Sequence, residues 1–229
     1  MLFVKLALLS LQNRGADMGK LVVIRHAESE WNLLGKWTGR TDVGLTEKGA
    51  REARVIGETI KDINFDRTYS SDLKRTKQTL EGVLEGQGNR ADIPKISHPA
   101  INERDYGDLT GKNKWQIKEE VGDEKFHAIR RGWNEPIPGG ETLKDVYGRA
   151  IPYFQTEILP HLQAGETVGL FGHGNTIRAF LKYFDQIADE DISEVEMPFG
   201  KIVIYTFSPD SDMPIGKQVR QAVVGETKA

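Results

Sequence analysis

Leu21-Val22-Val23-Ile24-Arg25-His26-Ala27-Glu28-Ser29-Glu30-Trp31-Asn32 is the stretch from which the rest of the chain can be read. Four consecutive apolar residues, most of them β-branched, have the pattern of a buried strand. The run stops at Arg25-His26, so the strand carries two basic side chains to its C-terminal edge, where open α/β sheets keep their chemistry. Thr167-Val168-Gly169-Leu170-Phe171-Gly172-His173-Gly174-Asn175-Thr176 repeats the design: an apolar strand, a histidine between glycines, then a helix start. Either histidine alone is as readily structural as functional. Two of them at the ends of two such strands, with an arginine beside the first, read as an anion site.

Around this pair the chain is ordinary. Its 229 residues are enough for one domain with a substantial core. A formal charge of -3 provides no global field for nucleic acid or an anionic membrane, so any basic site has to be local. The absence of cysteine excludes disulfide frameworks, thiolate metal sites and cysteine nucleophiles, and is compatible with a reducing compartment. Residues 1–18 begin with an apolar run, but Lys5 interrupts it, no small-residue cleavage site follows, and it is too short to cross a bilayer. They are expected to be a non-essential extension.

Between the two histidines, Asn32 to Val43 reads as a long loop over the strand ends. Thr46 caps a helix whose apolar face is Ala50, Ala53, Ile56 and Ile60. Phe65 to Ser70 is a weak strand, and Ser70-Ser71-Asp72 offers cap chemistry to a helix with Arg75 in its first turns. A free helix start favours anions, so Arg75 there adds to the anion site. Glu85 to Asp92 is a polar loop, and Ile101 to Asp108 packs Glu103, Arg104, Asp105 and Tyr106 into a segment too charged for a core strand. Two short amphipathic stretches, Trp115–Val121 and Glu124–Arg131, bring Lys114, Arg130 and Arg131, either as a cationic cluster or as a solvated face. A helix capped at Thr142 buries Leu143, Val146, Ala150, Phe154 and Ile158, and Ile202 to Phe207 is the last strand.

Strands alternating with helices imply an α/β, three-layer domain with a mostly parallel central sheet flanked by helices. Its expected extent is 19–208, followed by a flexible tail, 209–229, that could serve as a lid. Arg25, His26, Arg75 and His173 form a nest suited to a phosphoryl group, whose charge arginine forks match. A neutral histidine nitrogen can attack phosphorus while a nearby carboxylic acid, Glu103, protonates the leaving oxygen, and no metal is required.

Arg25 to Asn32 resembles the phosphohistidine signature of the histidine phosphatase superfamily, and His173-Gly174-Asn175 resembles its second histidine motif. Thr38-Gly39, Ser71-Asp72-Leu73-Lys74-Arg75, Asn102 to Gly107, Gly111 to Lys114, Arg130-Arg131 and Gly140 to Asp145, in that order, resemble the cofactor-dependent phosphoglycerate mutases. The likeness runs from Gly19 to Phe207. It implies that His26 is the phosphorylated nucleophile and Glu103 the general acid and base. It also implies that Arg25, Arg75 and His173 bind the transferring phosphoryl group, supported by Asn32 and Asn175, and that Thr38, Gly39, Tyr106, Lys114, Arg130 and Arg131 hold the rest of the substrate. The reaction implied is the interconversion of 3-phosphoglycerate and 2-phosphoglycerate in glycolysis and gluconeogenesis, with 2,3-bisphosphoglycerate priming the histidine. No metal, nucleic acid or membrane is implied; the location would be cytoplasmic, and a homo-oligomer is left open. Ala27, Arg40 and Lys112 depart from the usual glycine, tryptophan and leucine, and a stretch that longer mutases carry is absent around Asn134 to Pro138. The rival functions are a phosphomonoesterase of the same superfamily and a non-catalytic phosphate-binding protein.

Overall fold

The computed structural model describes residues 18–88 and 92–224. The expected N-terminal extension therefore lies outside the described residues except for Met18, as do part of the polar loop after Glu85 and the last five residues of the tail.

β1 (Gly19–Arg25) is the centre of the molecule. It pairs in parallel with β4 (Thr167–Gly172) and antiparallel with β5 (Lys201–Phe207), so its backbone polar groups are met on both edges. β2 (Arg67–Ser70) runs parallel to β4 on its far side, β3 (Lys95–Ser97) runs parallel to β2, and β6 (Gly216–Gln221) closes the other edge against β5. The order is β3-β2-β4-β1-β5-β6.

The apolar run in β1 has no alternation because both faces are covered. Val22 and Ile24 pack with Ile56 of α2 (Glu47–Thr59), with Ile60 at its C-cap, and with Leu80 and Val83 of α3 (Lys74–Gly86). Leu21 and Val23 face α6 (Leu143–Tyr153), α7 (Leu159–Gln163) and α8 (Gly174–Phe184). Three layers result. A smaller core of Trp37, Tyr106, Ile117, Phe126, Ile129 and Ile137 sits apart from these layers and joins α4 (Lys114–Val121) and α5 (Asp123–Arg131) to the loops.

Local signals hold where chemistry is local. Thr46 accepts from the Gly49 N–H at 2.9 Å, and Thr142 and Asp145 form a reciprocal capping box. The buried series Val146, Ala150, Phe154, Ile158 recurs every four residues, which on a regular α-helix drifts by about 40° per step. A π-helical segment, Phe154–Ile158, between α6 and α7 takes up the drift, just past Pro152, whose missing N–H loosens the ladder.

Four expectations are corrected. The stretch after Ser70 does not cap α3 from Ser70, Ser71 or Asp72 directly: the cap position is Leu73, and Asp42, from the loop over the strand ends, accepts from the Lys74 N–H at 2.6 Å. The loop from Asn32 opens within a short helix, α1 (Glu30–Leu33). β3 is absent from the sequence-based elements because three residues carry no periodicity. The tail is not wholly without structure, since β6 pairs with all but the last residue of β5. Its sequence, Gly-Lys-Gln-Val-Arg-Gln, lacks an apolar face because an edge strand of this kind is held by backbone pairing, with Lys217 on Asp185 and Arg220 on Asp62 pinning its side chains.

Candidate active site

Because β1 and β4 are parallel and in register, with Arg25 opposite Gly172, His26 and His173 leave the sheet side by side. Their rings meet edge to face with centroids 5.0 Å apart. A cavity of about 650 Å³, counting its open mouth, lies over these strand ends. Twelve of the thirteen residues singled out by sequence line it: Arg25, His26, Asn32, Thr38, Gly39 and Arg75 from β1, its following loop and α3, and Glu103, Tyr106, Lys114, Arg130, Arg131 and Asn175 from the later segments.

The thirteenth, His173, is fully buried behind the wall rather than in it. Its Nδ1 accepts from Arg75 Nε at 3.2 Å, which assigns the proton to Nε2, and Nε2 donates to Ser71 Oγ at 2.8 Å. Burial and the adjacent Arg75 depress its pKa well below the usual histidine range. In this geometry His173 orients Arg75 instead of offering a free nitrogen to the cavity. Ser71, just after β2, is thereby drawn into the site, while its Oγ also accepts from the N–H of Leu73, the cap position of α3, at 3.2 Å.

His26 is arranged for the opposite purpose. Its Nδ1 lies 2.7 Å from the Ala27 carbonyl, which can only accept, so Nδ1 carries the proton and Nε2 bears the lone pair. Burial, Arg75 and Arg25 hold its pKa well below the usual value, leaving the ring neutral and nucleophilic at physiological pH. Arg75 spends two further donors on the Thr41 and Gly39 carbonyls at 2.9 and 2.8 Å. Gly39 can present its carbonyl this way because its φ is +52°, a conformation that strains residues with a Cβ. Arg25 lies over the Phe199 ring at 4.1 Å and donates to the Met197 carbonyl. Burial lowers both guanidinium groups to about 10, which leaves them charged at neutral pH.

Glu103 has one carboxyl oxygen committed: Oε1 accepts from the backbone N–H groups of Arg104 and Asn175 at 2.8 and 3.2 Å. The other oxygen is the one that can take and return a proton. Asn32 is likewise half committed, since its Oδ1 accepts from the Ser29 N–H and hydroxyl. Lys114 is lowered to about 8, first by burial and then by Arg130 and Arg25. Arg131 meets Glu196 at 2.8 Å at the rim.

Trp37, Arg178 and Met197 also line the cavity and were missed by sequence. Arg178 did carry a signal, being the one charged residue in the run Ile177 to Leu181 of a helix otherwise apolar there. Among the described lining residues, six cationic side chains face one carboxyl group, Glu103. Such a wall binds a multiply charged anion, and a neutral imidazole nitrogen with an adjacent carboxyl group can move a phosphoryl group and a proton.

Comparison with known proteins agrees with this arrangement. Residues 21–213 match the model of the histidine phosphatase superfamily (branch 1). The chain is 40% identical over 204 residues to the 2,3-bisphosphoglycerate-dependent phosphoglycerate mutase of Brucella anthropi, covering 88% of this chain and 98% of that protein. It is 43% identical over 187 residues to that of Parvibaculum lavamentivorans, covering 81% and 89%. Among solved structures, Bacillus stearothermophilus YhfR superposes with a TM-score of 0.72 at 26% identity, over 82% of this chain and 90% of its own. Mycobacterial glucosyl-3-phosphoglycerate phosphatase superposes with a TM-score of 0.71 at 20% identity, over 91% and 100%, a likeness of fold alone.

Proposed function

The chain belongs to the histidine phosphatase superfamily and, within it, to the 2,3-bisphosphoglycerate-dependent phosphoglycerate mutases, and from that membership we propose that it interconverts 3-phosphoglycerate and 2-phosphoglycerate through a phosphorylated His26. The observation that carries the reading is the doubling of the cationic wall. Arg25 and Arg75 accompany the nucleophile, and Lys114, Arg130 and Arg131 supply a second group of cations. Hydrolysis needs only the first group, whereas a mutase has to retain a doubly phosphorylated molecule while it reorients.

The residues fit the priming bisphosphate. Among the six cations Arg25 has a buried Nε without a protein partner, and Trp37 Nε1 in the same wall is a second such donor. Arg25, Arg75, Lys114, Arg130 and Arg131 would hold the two phosphates and the carboxylate. When bound, the bisphosphate supplies the phosphoryl group that charges His26.

From there each step uses the chain's own groups. His26 Nε2 attacks the phosphorus of a bound phosphate ester, the P–O bond to the substrate breaks, and the protonated Glu103 gives its proton to the departing oxygen. In the preceding half-reaction the ionised Glu103 takes a proton from the free hydroxyl of a bound phosphoglycerate, whose oxygen attacks the phosphorus of phosphohistidine, releases His26 and forms the doubly phosphorylated molecule that reorients. Arg25 and Arg75 stabilise the charge on the three equatorial oxygens. His173 acts through Arg75, and Thr38, Gly39, Asn32, Tyr106 and Asn175 shape the surrounding wall. Among the described residues no helix is long and apolar enough to cross a membrane; the proposed setting is the cytoplasm, with small phosphorylated acids as partners and no metal in the chemistry.

Turnover of 3-phosphoglycerate measured with and without bisphosphate tests the reading. We expect strong stimulation, an acid-labile label on the protein that is absent from His26→Ala, and no loss of activity in a chelator. Hydrolysis of bisphosphate without mutase turnover would assign the protein to the phosphatases, and neither activity would leave only phosphate binding.

A further inference from the structure

α5 ends at the arginine pair, and its last carbonyl groups point into protein. Arg104 donates to the Ile129 and Arg130 carbonyls at 2.8 and 3.3 Å. Arg178, from α8, donates through Nη2 to the Arg131 carbonyl and to Ile192, and through Nε to Val195 at 3.0 Å. Its remaining nitrogen, Nη1, donates to Asn175 Oδ1 at 2.9 Å. This contact decides which way the Asn175 amide faces, and Asn175 Nδ2 in turn donates to the Tyr106 hydroxyl at 2.7 Å.

Arg178 is 1% exposed, and its hydrogen-bond partners are four neutral oxygens with no carboxylate among them. A buried cation without an ionic partner is a costly way to fill a helix position, where an apolar side chain of similar volume would serve stability as well or better. Each acceptor, however, belongs to or adjoins the outer part of the cavity: the Arg131 backbone, Asn175 and through it Tyr106, and the 192–195 segment that precedes Glu196 and Met197. All three of its nitrogens are engaged with protein, through four hydrogen bonds, so most of its bonding capacity is spent on holding the wall together.

We infer that Arg178 is a positioning residue for the outer clamp: it holds Arg131, Asn175 and Tyr106 in one arrangement and so sets the affinity for the end of the substrate that is not being transferred. None of its hydrogen bonds reaches Arg25, Arg75 or either histidine; its one link to the reacting end is Asn175, whose backbone N–H, rather than the side chain that Arg178 holds, meets Glu103. The inference rests on the phosphoglycerate reading for the identity of the ligand but not for the division of the cavity into two parts.

The test compares Arg178→Met and Arg178→Lys with the parent chain, using calorimetric binding of 3-phosphoglycerate and of inorganic phosphate alongside mutase kinetics. Losing a set of charge-assisted contacts predicts a phosphoglycerate affinity and KM roughly ten- to a hundredfold worse in Arg178→Met, with kcat within about threefold. Phosphate affinity should stay within about twofold, and Arg178→Lys should fall between, because a point charge reaches fewer of the four oxygens. Unchanged phosphoglycerate affinity would overturn the inference, and so would a parallel loss for phosphate, which would mark Arg178 as general scaffold. If Arg178→Met does not fold, the same split has to appear in Arg178→Lys; a lysine variant without it also overturns the inference. Should the parent chain fail to turn over 3-phosphoglycerate, the functional reading falls while the two binding measurements still decide the role of Arg178.

Discussion

At the scale of single residues the site depends on which atoms carry protons. His26 Nε2 bears a lone pair because the Ala27 carbonyl accepts a hydrogen bond from Nδ1–H and so keeps the proton there, and Glu103 has one free oxygen because two backbone N–H groups hold the other. Glu103→Gln keeps the shape and the acceptor for those N–H groups but cannot cycle a proton. We expect it to bind phosphate normally and to lose turnover by roughly two to four orders of magnitude. Steady-state kinetics with a phosphate-binding control checks this, and parent-like turnover would move the acid role to another group. Lys114 gives a pH dependence. Its pKa is lowered to about 8, so the protonated, anion-binding form prevails below that pH and is lost above it. In the free enzyme kcat/KM should therefore decline as pH rises through about 8, whereas kcat should hold to higher pH because a bound anion stabilises the ammonium. A profile from pH 6 to 10 tests it, and Lys114→Met should remove that limb while weakening binding at neutral pH; a limb that persists in the variant would belong to another group.

At the scale of elements, the loops over the strand ends are tied together from behind. Arg40 pairs with Glu141 at 2.8 Å, and Arg149 binds the same carboxylate while donating to the Ala100, Asn102 and Glu103 carbonyls. Arg40 takes the place of the usual tryptophan and joins the Thr38-Gly39 loop to the Glu103 loop by charge. β6 changes what a truncation means. Ending the chain after Ser208 removes the ladder on β5 and the buried Ala222, so it should lower Tm by about 10 °C, from several hydrogen bonds worth about 1 kcal/mol net each. The lid proposal is better tested by ending the chain after Val224, which keeps β6. That variant should hold its Tm, lose mutase turnover, and keep or gain bisphosphate hydrolysis, since phosphohistidine left open also transfers to water. An unchanged partition between the two activities would deny the tail any gating role.

At the scale of the whole molecule, β1 is paired along both edges and packed on both faces from Gly19 onward, so nothing in the described fold calls on residues 1–17. Their deletion is expected to leave Tm and turnover at the parent's values, checked by thermal unfolding and kinetics of the shortened chain; a shortened chain that fails to fold would show that the extension is required. The sequence by itself determined the strands under the two histidines, the caps at Thr46 and Thr142 and the helix faces apart from Ala50, which is exposed; with the family resemblance it also named thirteen site residues, twelve of which line the cavity. Those signals are legible because burial imposes a period on side chains, capping acts within four residues, and a charged residue in an apolar context marks itself. Tertiary structure alone decided the rest. β6 is built from backbone pairing, which asks for no side-chain pattern. Asp42 caps a helix 32 residues away, and Ser71 fixes a histidine 102 residues on. His173 retreats behind Arg75, and Arg178 grips Arg131 across 47 residues. A hydrogen bond depends on where two atoms meet, and only the folded chain brings together partners that far apart.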